Sequence, residues 1–187
     1  MTKRLIEPED LIYDVIRPTL KTMDGNYWSP AAERLLFMTA AHESGGFKYR
    51  RQIAGYKADG SIIPGVARSL WQIEPATYRD LWDTYLTAVA PQRGALMKRL
   101  MQLLLTERER VDPLAALETN DYWACAVARM IYARVPAPLP KVYQAAKLGA
   151  YAKEHWNTKL GAATSEVYVH DAETHGPVCN PDEWRLR

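Results

Sequence analysis

The sequence predicts a mainly α fold with one small β-hairpin between the second and third helices. Three observations carry this. Apolar residues recur at helical spacing through most of the 187-residue chain. Helix starts and stops are written clearly, above all Ser29-Pro30 and Gly45-Gly46. The one long stretch without helical period, 53 to 73, holds the turn pair Asp59-Gly60 with Tyr56 before it and Ile62-Ile63 after it.

The elements follow in order. A first helix is expected from about Pro8 to Lys21, with Leu11, Ile12, Val15 and Ile16 on one side and Pro18 ending or kinking it. Ser29 caps the second helix and Pro30 fits its first position. Leu35, Leu36, Thr39, Ala40 and Glu43 fall on one face before the glycines stop it. After the hairpin, a third helix starts at Pro75 and carries Tyr78, Leu81, Trp82 and Tyr85. A fourth spans about Gln92 to Glu109, with Leu96, Leu100, Leu103 and Leu104 inward. Asp112-Pro113 starts a short helix. Asn120 caps another, whose stripe is Ala124, Val127, Ala128 and Ile131. "VPAPLP" is an extended connector, and helix resumes from about Lys141 to His155. From Gly161 the chain turns polar, Ser165 can cap a short helix, and "HGPVCNPDEWRLR" reads as irregular wrap.

Length and composition fit one domain over 1–187, with a core of about 29–160, an N-terminal helix and a polar tail. Apolar residues make up 48% and charged residues 25%, an ordinary globular mixture. A net charge of +2 with no densely basic stretch argues against nucleic acid. The N-terminal "MTKRLIEPEDLIYDV" lacks the apolar centre of a signal peptide. No apolar run of about 18 residues suggests a membrane span. Cys125 sits among alanines and reads as a buried thiol, and whether it pairs with Cys179 is left open. His170, His175 and Cys179 are metal-binding types, but their spacing matches no closed four-ligand site. No metal and no cofactor is expected.

The residue that stands out is Glu43. It lies on the inward stripe at the last turn of an apolar helix. Desolvation and the negative end of the helix dipole both disfavour its charged form. A carboxyl held protonated near neutral pH is suited to general acid work. A surface glutamate at a fraying helix end is the competing reading.

A second stretch bears on that choice. Ser69-Leu70-Trp71-Gln72-Ile73-Glu74-Pro75-Ala76-Thr77 follows Glu43-Ser44 by about thirty residues. Together they resemble the soluble lytic transglycosylases of the lysozyme-like superfamily. That family pairs a Glu-Ser helix end with a Gly-Leu-Met-Gln-(Ile/Val)-x-Pro-x-Thr turn, then carries Tyr-Asn on a late helix. The nearest match to the last element is Trp156-Asn157. The resemblance covers roughly residues 29 to 165, and the fuller ending looks like the phage branch, whose members include wall-degrading virion proteins. Ser69 stands where the family carries glycine, and Trp156 where it carries tyrosine.

The resemblance implies a lysozyme-like fold and cleavage of the β-1,4 bond between N-acetylmuramic acid and N-acetylglucosamine in peptidoglycan. Glu43 would be the acid and then the base. Ser44 would orient Glu43 or touch sugar, Gln72 would hydrogen-bond the glycan, and Asn157 would line the cleft. Tyr151 is a second candidate for the family's tyrosine. The family needs no second carboxylate, because the substrate's N-acetyl group assists. Hydrolysis by a muramidase route would need one, and Asp59 and Glu74 are the candidates. Aromatic side chains stack on sugars, which makes Tyr56, Trp71, Tyr78, Trp82 and Trp123 candidate platforms. Helical spacing puts Trp82 and Trp123 in the core and leaves Tyr56 the better ligand candidate. The implied partners are peptidoglycan strands and other virion proteins, after synthesis in the host cytoplasm. A non-catalytic virion or glycan-binding protein of the same fold is the alternative.

Overall fold

The computed structural model describes residues 3–24, 26–156 and 163–176. Asn157, Cys179 and the tail beyond Gly176 therefore lie outside the described residues. Within them the protein is mainly helical, with one two-stranded antiparallel sheet.

Helix α1 covers 8–22 as three joined pieces: an α turn (Pro8–Asp10), wide turns (Leu11–Ile16) and α again (Arg17–Thr22). Pro18 does not end it. The helix changes winding just before the proline, which then occupies the second position of a fresh α segment. There its missing N–H costs little.

Helix α2 (Pro30–Glu43) starts where expected, with the Ser29 hydroxyl accepting from the Ala32 N–H at 3.1 Å. It is not one-sided, as the stripe suggested. Ala32 through Ala41 are buried except Arg34, because α2 is the central rod of the molecule. Gly45 and Gly46 then take left-handed backbone angles, φ +61° and +76°. A Cβ on Gly46 would lie 2.7 Å from the His175 ring, so only glycine fits this turn.

Strands β1 (Arg51–Tyr56) and β2 (Ile62–Arg68) form the expected hairpin, paired Arg51 to Arg68 and Tyr56 to Ile62. Asp59 sits at the exposed tip and accepts from the Ser61 N–H at 2.9 Å. Salt bridges from Arg50 to Asp121 and Arg51 to Glu118 tie the hairpin base to the helical body.

Helix α3 runs over 75–89, α-helical at Pro75–Asp80 and wider over Leu81–Val89. The predicted fourth helix is two. Helix α4 (Pro91–Leu104) stops, and α5 (Glu107–Val111) restarts behind a capping box of Thr106 and Glu109. Leu96 and Leu100 are buried, whereas Leu103 is exposed, on the side of α4 away from the core. A short 3₁₀ turn (Ala115–Glu118) leads into α6 (Asp121–Ala133), capped by Asn120 as expected. Helices α7 (Ala145–His155) and α8 (Ser165–His175) complete the described fold. Helix α8 is longer than the short helix expected there, and it packs along α2 and α7. One hydrophobic core runs through α1, α2, α6 and their neighbours. Cys125 lies in it as a free, fully buried thiol. Among the described residues, no helix is long and apolar enough to cross a membrane.

Candidate active site

A cleft of about 940 Å³ opens beside the end of α2. Glu43, Gln72 and Glu74 line one part of it, and Ile131, Arg134 and Trp156 another. Three of the expected site residues, Glu43, Gln72 and Glu74, therefore share one cleft.

Glu43 reaches the cleft because α2 ends there. Its carboxyl is not free. The Tyr168 hydroxyl on α8 donates to Glu43 Oε1 at 3.0 Å. Tyr168 is itself fully buried. Its ring lies against the His42 ring, centroids 4.2 Å apart, and His42 Nδ1 pairs with Asp171 at 2.7 Å. One face of α8 thus grips the last turn of α2. Burial pushes the Glu43 carboxyl above its ordinary range, and Glu74 adds to the rise. His42 and the Tyr168 hydroxyl pull the other way without cancelling it.

Gln72 owes its place to the turn after β2. Ile73 N–H and O close back on Arg68, and Trp71 plugs the core, its indole N–H donating to the Leu36 carbonyl at 3.0 Å. Ser69 and Gln72 both take left-handed angles, φ +71° and +47°. This is a conformation glycine adopts without cost and L-residues resist. Ser69 compensates locally: its hydroxyl accepts from the Trp71 N–H at 3.1 Å inside the protein. Gln72 Nε2 donates to the Ser69 carbonyl at 2.7 Å, leaving the amide oxygen to the cleft. Replacing Ser69 by alanine keeps the strain and orphans a buried N–H. A loss of about 1–3 kcal/mol is expected in urea unfolding. Ser69→Gly should lose less, because it relieves the backbone.

The other expected residues fall differently. Ser44 is fully buried; its hydroxyl donates to the Ala40 carbonyl at 2.6 Å and accepts from the Phe47 N–H at 2.7 Å. It builds the turn after the helix by giving the Phe47 N–H an acceptor, and does not reach the cleft. Tyr56 is 65% exposed on the hairpin, away from the cleft lining. Tyr151 is turned to the opposite side of the 135–139 connector, packed against Tyr132 and His155. Asp59, at the hairpin tip, lines no part of the cleft, whereas Glu74 does. Trp71, Tyr78 and Trp123 are core residues. Trp156 lines the cleft with its ring against Tyr132, centroids 5.1 Å apart.

Several cleft residues carried no flag in the sequence. Asp80 and Arg134 form a 2.8 Å salt bridge at the rim, joined there by Glu154 and His155. The omission that matters most is Tyr168. Its signal was present: behind Thr164 and Ser165, Tyr168, Ala172 and His175 recur at helical spacing on one face. Among the described residues no group of three or more His, Cys, Asp or Glu could hold a metal ion.

A half-buried carboxyl with a raised proton affinity, one oxygen held by a phenol and an open cleft beside it, can deliver a proton to a bound leaving group. Comparison of the chain with protein-family models, with curated proteins and with solved structures finds no match.

Proposed function

We propose that the protein is a peptidoglycan glycosidase with a lysozyme-like fold, acting as a lytic transglycosylase on the N-acetylmuramyl-β-1,4-N-acetylglucosamine bond. The observation that carries this reading is Glu43: a half-buried carboxyl at a helix end, beside Gln72 in a cleft, with its proton affinity raised. The motif resemblance supplies the substrate class.

In this reading Glu43 protonates the glycosidic oxygen as the C1–O bond breaks. The substrate's own acetamido oxygen covers C1. The muramyl 6-hydroxyl then attacks C1, and its proton returns to Glu43. The product carries a 1,6-anhydro ring and the acid is regenerated. Tyr168 holds Oε1, so the opposite oxygen carries the proton. Gln72 presents its amide oxygen to an N-acetyl N–H or a hydroxyl. Trp156 offers an apolar wall for a sugar ring in place of the family's tyrosine. Glu74, in the same cleft, favours a second reading in which it directs water and the enzyme is a muramidase. The phage-branch resemblance suggests a virion component that opens the wall locally.

The test is to incubate purified peptidoglycan with the protein and identify the released muropeptides by mass spectrometry. Anhydro-muramyl ends are expected. Reducing muramic ends would select the muramidase reading, and no release would sink the enzyme reading.

A Tyr168→Phe variant gives a separate check. The phenol stabilises the charged carboxylate, so its loss raises the Glu43 proton affinity further. Activity that needs the acid form falls as pH rises through its pKa. In Tyr168→Phe that fall should move to higher pH in a pH–rate profile, with turnover reduced about tenfold. An unmoved profile would separate Tyr168 from the chemistry.

A further inference from the structure

On the far side of the 135–139 connector lies a second hollow of about 510 Å³, a size that suits a small ligand. Val135 borders both this hollow and the cleft of Glu43. Two arginines face into it. Arg129, on α6, spends its Nε on the Tyr27 carbonyl at 2.9 Å and lies over the Tyr27 ring. Arg93, on α4, donates from Nη1 to the Tyr85 hydroxyl and the Ala133 carbonyl.

Neither guanidinium joins an ion pair among the described residues. Asp24, the one carboxylate in the lining, is at the exposed edge and pairs with Arg99 at 3.2 Å. Burial pushes the Arg129 guanidinium below its ordinary range, and Arg93 beside it adds to that. Two like charges held close in a concave, partly dry wall are costly unless an anion visits. Arginine forks suit carboxylates in particular. The rest of the lining fits a peptide: the amides of Asn26 and Gln92 can pair with peptide groups, and Leu139 gives an apolar wall.

We infer that this hollow binds the free carboxylates of the peptide stem carried by the muramyl units of the wall, through Arg93 and Arg129. The inference rests on the glycan reading of the neighbouring cleft. A stem leaving a sugar in that cleft has only the connector to cross. The site would favour stem-bearing strands over stripped ones and so set where along a strand the enzyme cuts.

The test is an NMR titration of the protein with a stem tetrapeptide whose carboxyls are free, beside the same peptide with every carboxyl amidated. Saturable shifts are expected around residues 92–96 and 129–139. Affinity should drop at least about tenfold on amidation, since charge-assisted pairs are lost. That comparison needs no variant. Arg129→Gln, which keeps a donor for the Tyr27 carbonyl and relieves the like-charge contact, should show a similar drop with thermal stability equal to or above the parent's. Binding that ignores amidation, no saturable binding, or equal binding of tetraglutamate would overturn the assignment.

Turnover of amidase-stripped strands reports on Glu43 alone. Stripped strands cut but peptide unbound would remove this inference and leave the glycosidase reading. Peptide bound with neither stripped nor intact strands cut would do the reverse, leaving a carboxylate-selective peptide site.

Discussion

Glu43→Gln is expected to reduce turnover of peptidoglycan on the order of a thousandfold while making the protein more stable at neutral pH. The two halves share one cause. Glutamine keeps the shape and can still accept from the Tyr168 hydroxyl, but it has no proton to give. It also has no charge to desolvate. The sign follows from linkage. Glu43 has an ordinary value of 4.5 and a raised one in the folded protein, so the folded state binds its proton more tightly than the unfolded chain. Stability contributed by the group is therefore lost as pH rises from the unfolded value through the folded one. Below that window both states are protonated and the penalty is absent. The gap in melting temperature between variant and parent should be small near about pH 4 and widen towards neutrality. A variant that is inactive and also less stable at neutral pH would mean that the carboxylate is a structural anchor. A variant as active as the parent would remove Glu43 from the chemistry.

Glu43 could be singled out from the sequence because its signals are local. A cap at Ser29, a proline at the first position and two glycines at the end bound one helix, and periodicity put the carboxyl on a face that packing covers. Gln72 is legible only through the motif resemblance of residues 69 to 77, which is likewise contained in one short stretch. What was not legible depends on segments distant in sequence. Tyr168 reaches Glu43 across 125 positions, and no periodicity says which helix will lie on which. Ser44 was misjudged because its hydroxyl had two possible uses, and the backbone at the helix end claimed it. The long fourth helix was misjudged for another reason. The leucine stripe runs up to Leu105 at the break and good helix formers, Glu107 to Arg110, follow it, so the Thr106–Glu109 box that restarts the chain is a weaker pattern than the run on either side of it. In the hairpin, Asp59-Gly60 settled the turn, but nothing in it said that the tip would stand clear of the cleft.

Glu33→Ala is expected to lower stability by about 3 kcal/mol. Glu33 is 1% exposed on α2, and three donors converge on it. Arg17 of α1 makes a two-pronged contact, Nε at 2.8 Å and Nη2 at 2.5 Å, and the Trp28 indole N–H donates at 3.2 Å. Removing the carboxylate leaves a guanidinium that is itself largely covered and an indole N–H without its acceptor. That uncompensated charge, more than the lost attraction, sets the size of the effect. Arg17 keeps some access to water, about 20% of its side chain, which holds the figure at the lower end of the range for such pairs. For a domain of this length the loss corresponds to roughly 6–12 °C in Tm. The pair joins α1 to the helix that ends in Glu43, so the variant should cut peptidoglycan normally at low temperature and lose activity sooner on heating. The double variant Arg17→Met with Glu33→Leu decides whether the pair itself stabilises the fold. It removes both charges, and recovery of most of the lost Tm would mean that the ion pair fixes the register of α1 on α2 without adding net stability. Persistent loss in the double variant would assign the stability to the hydrogen-bonded cluster itself.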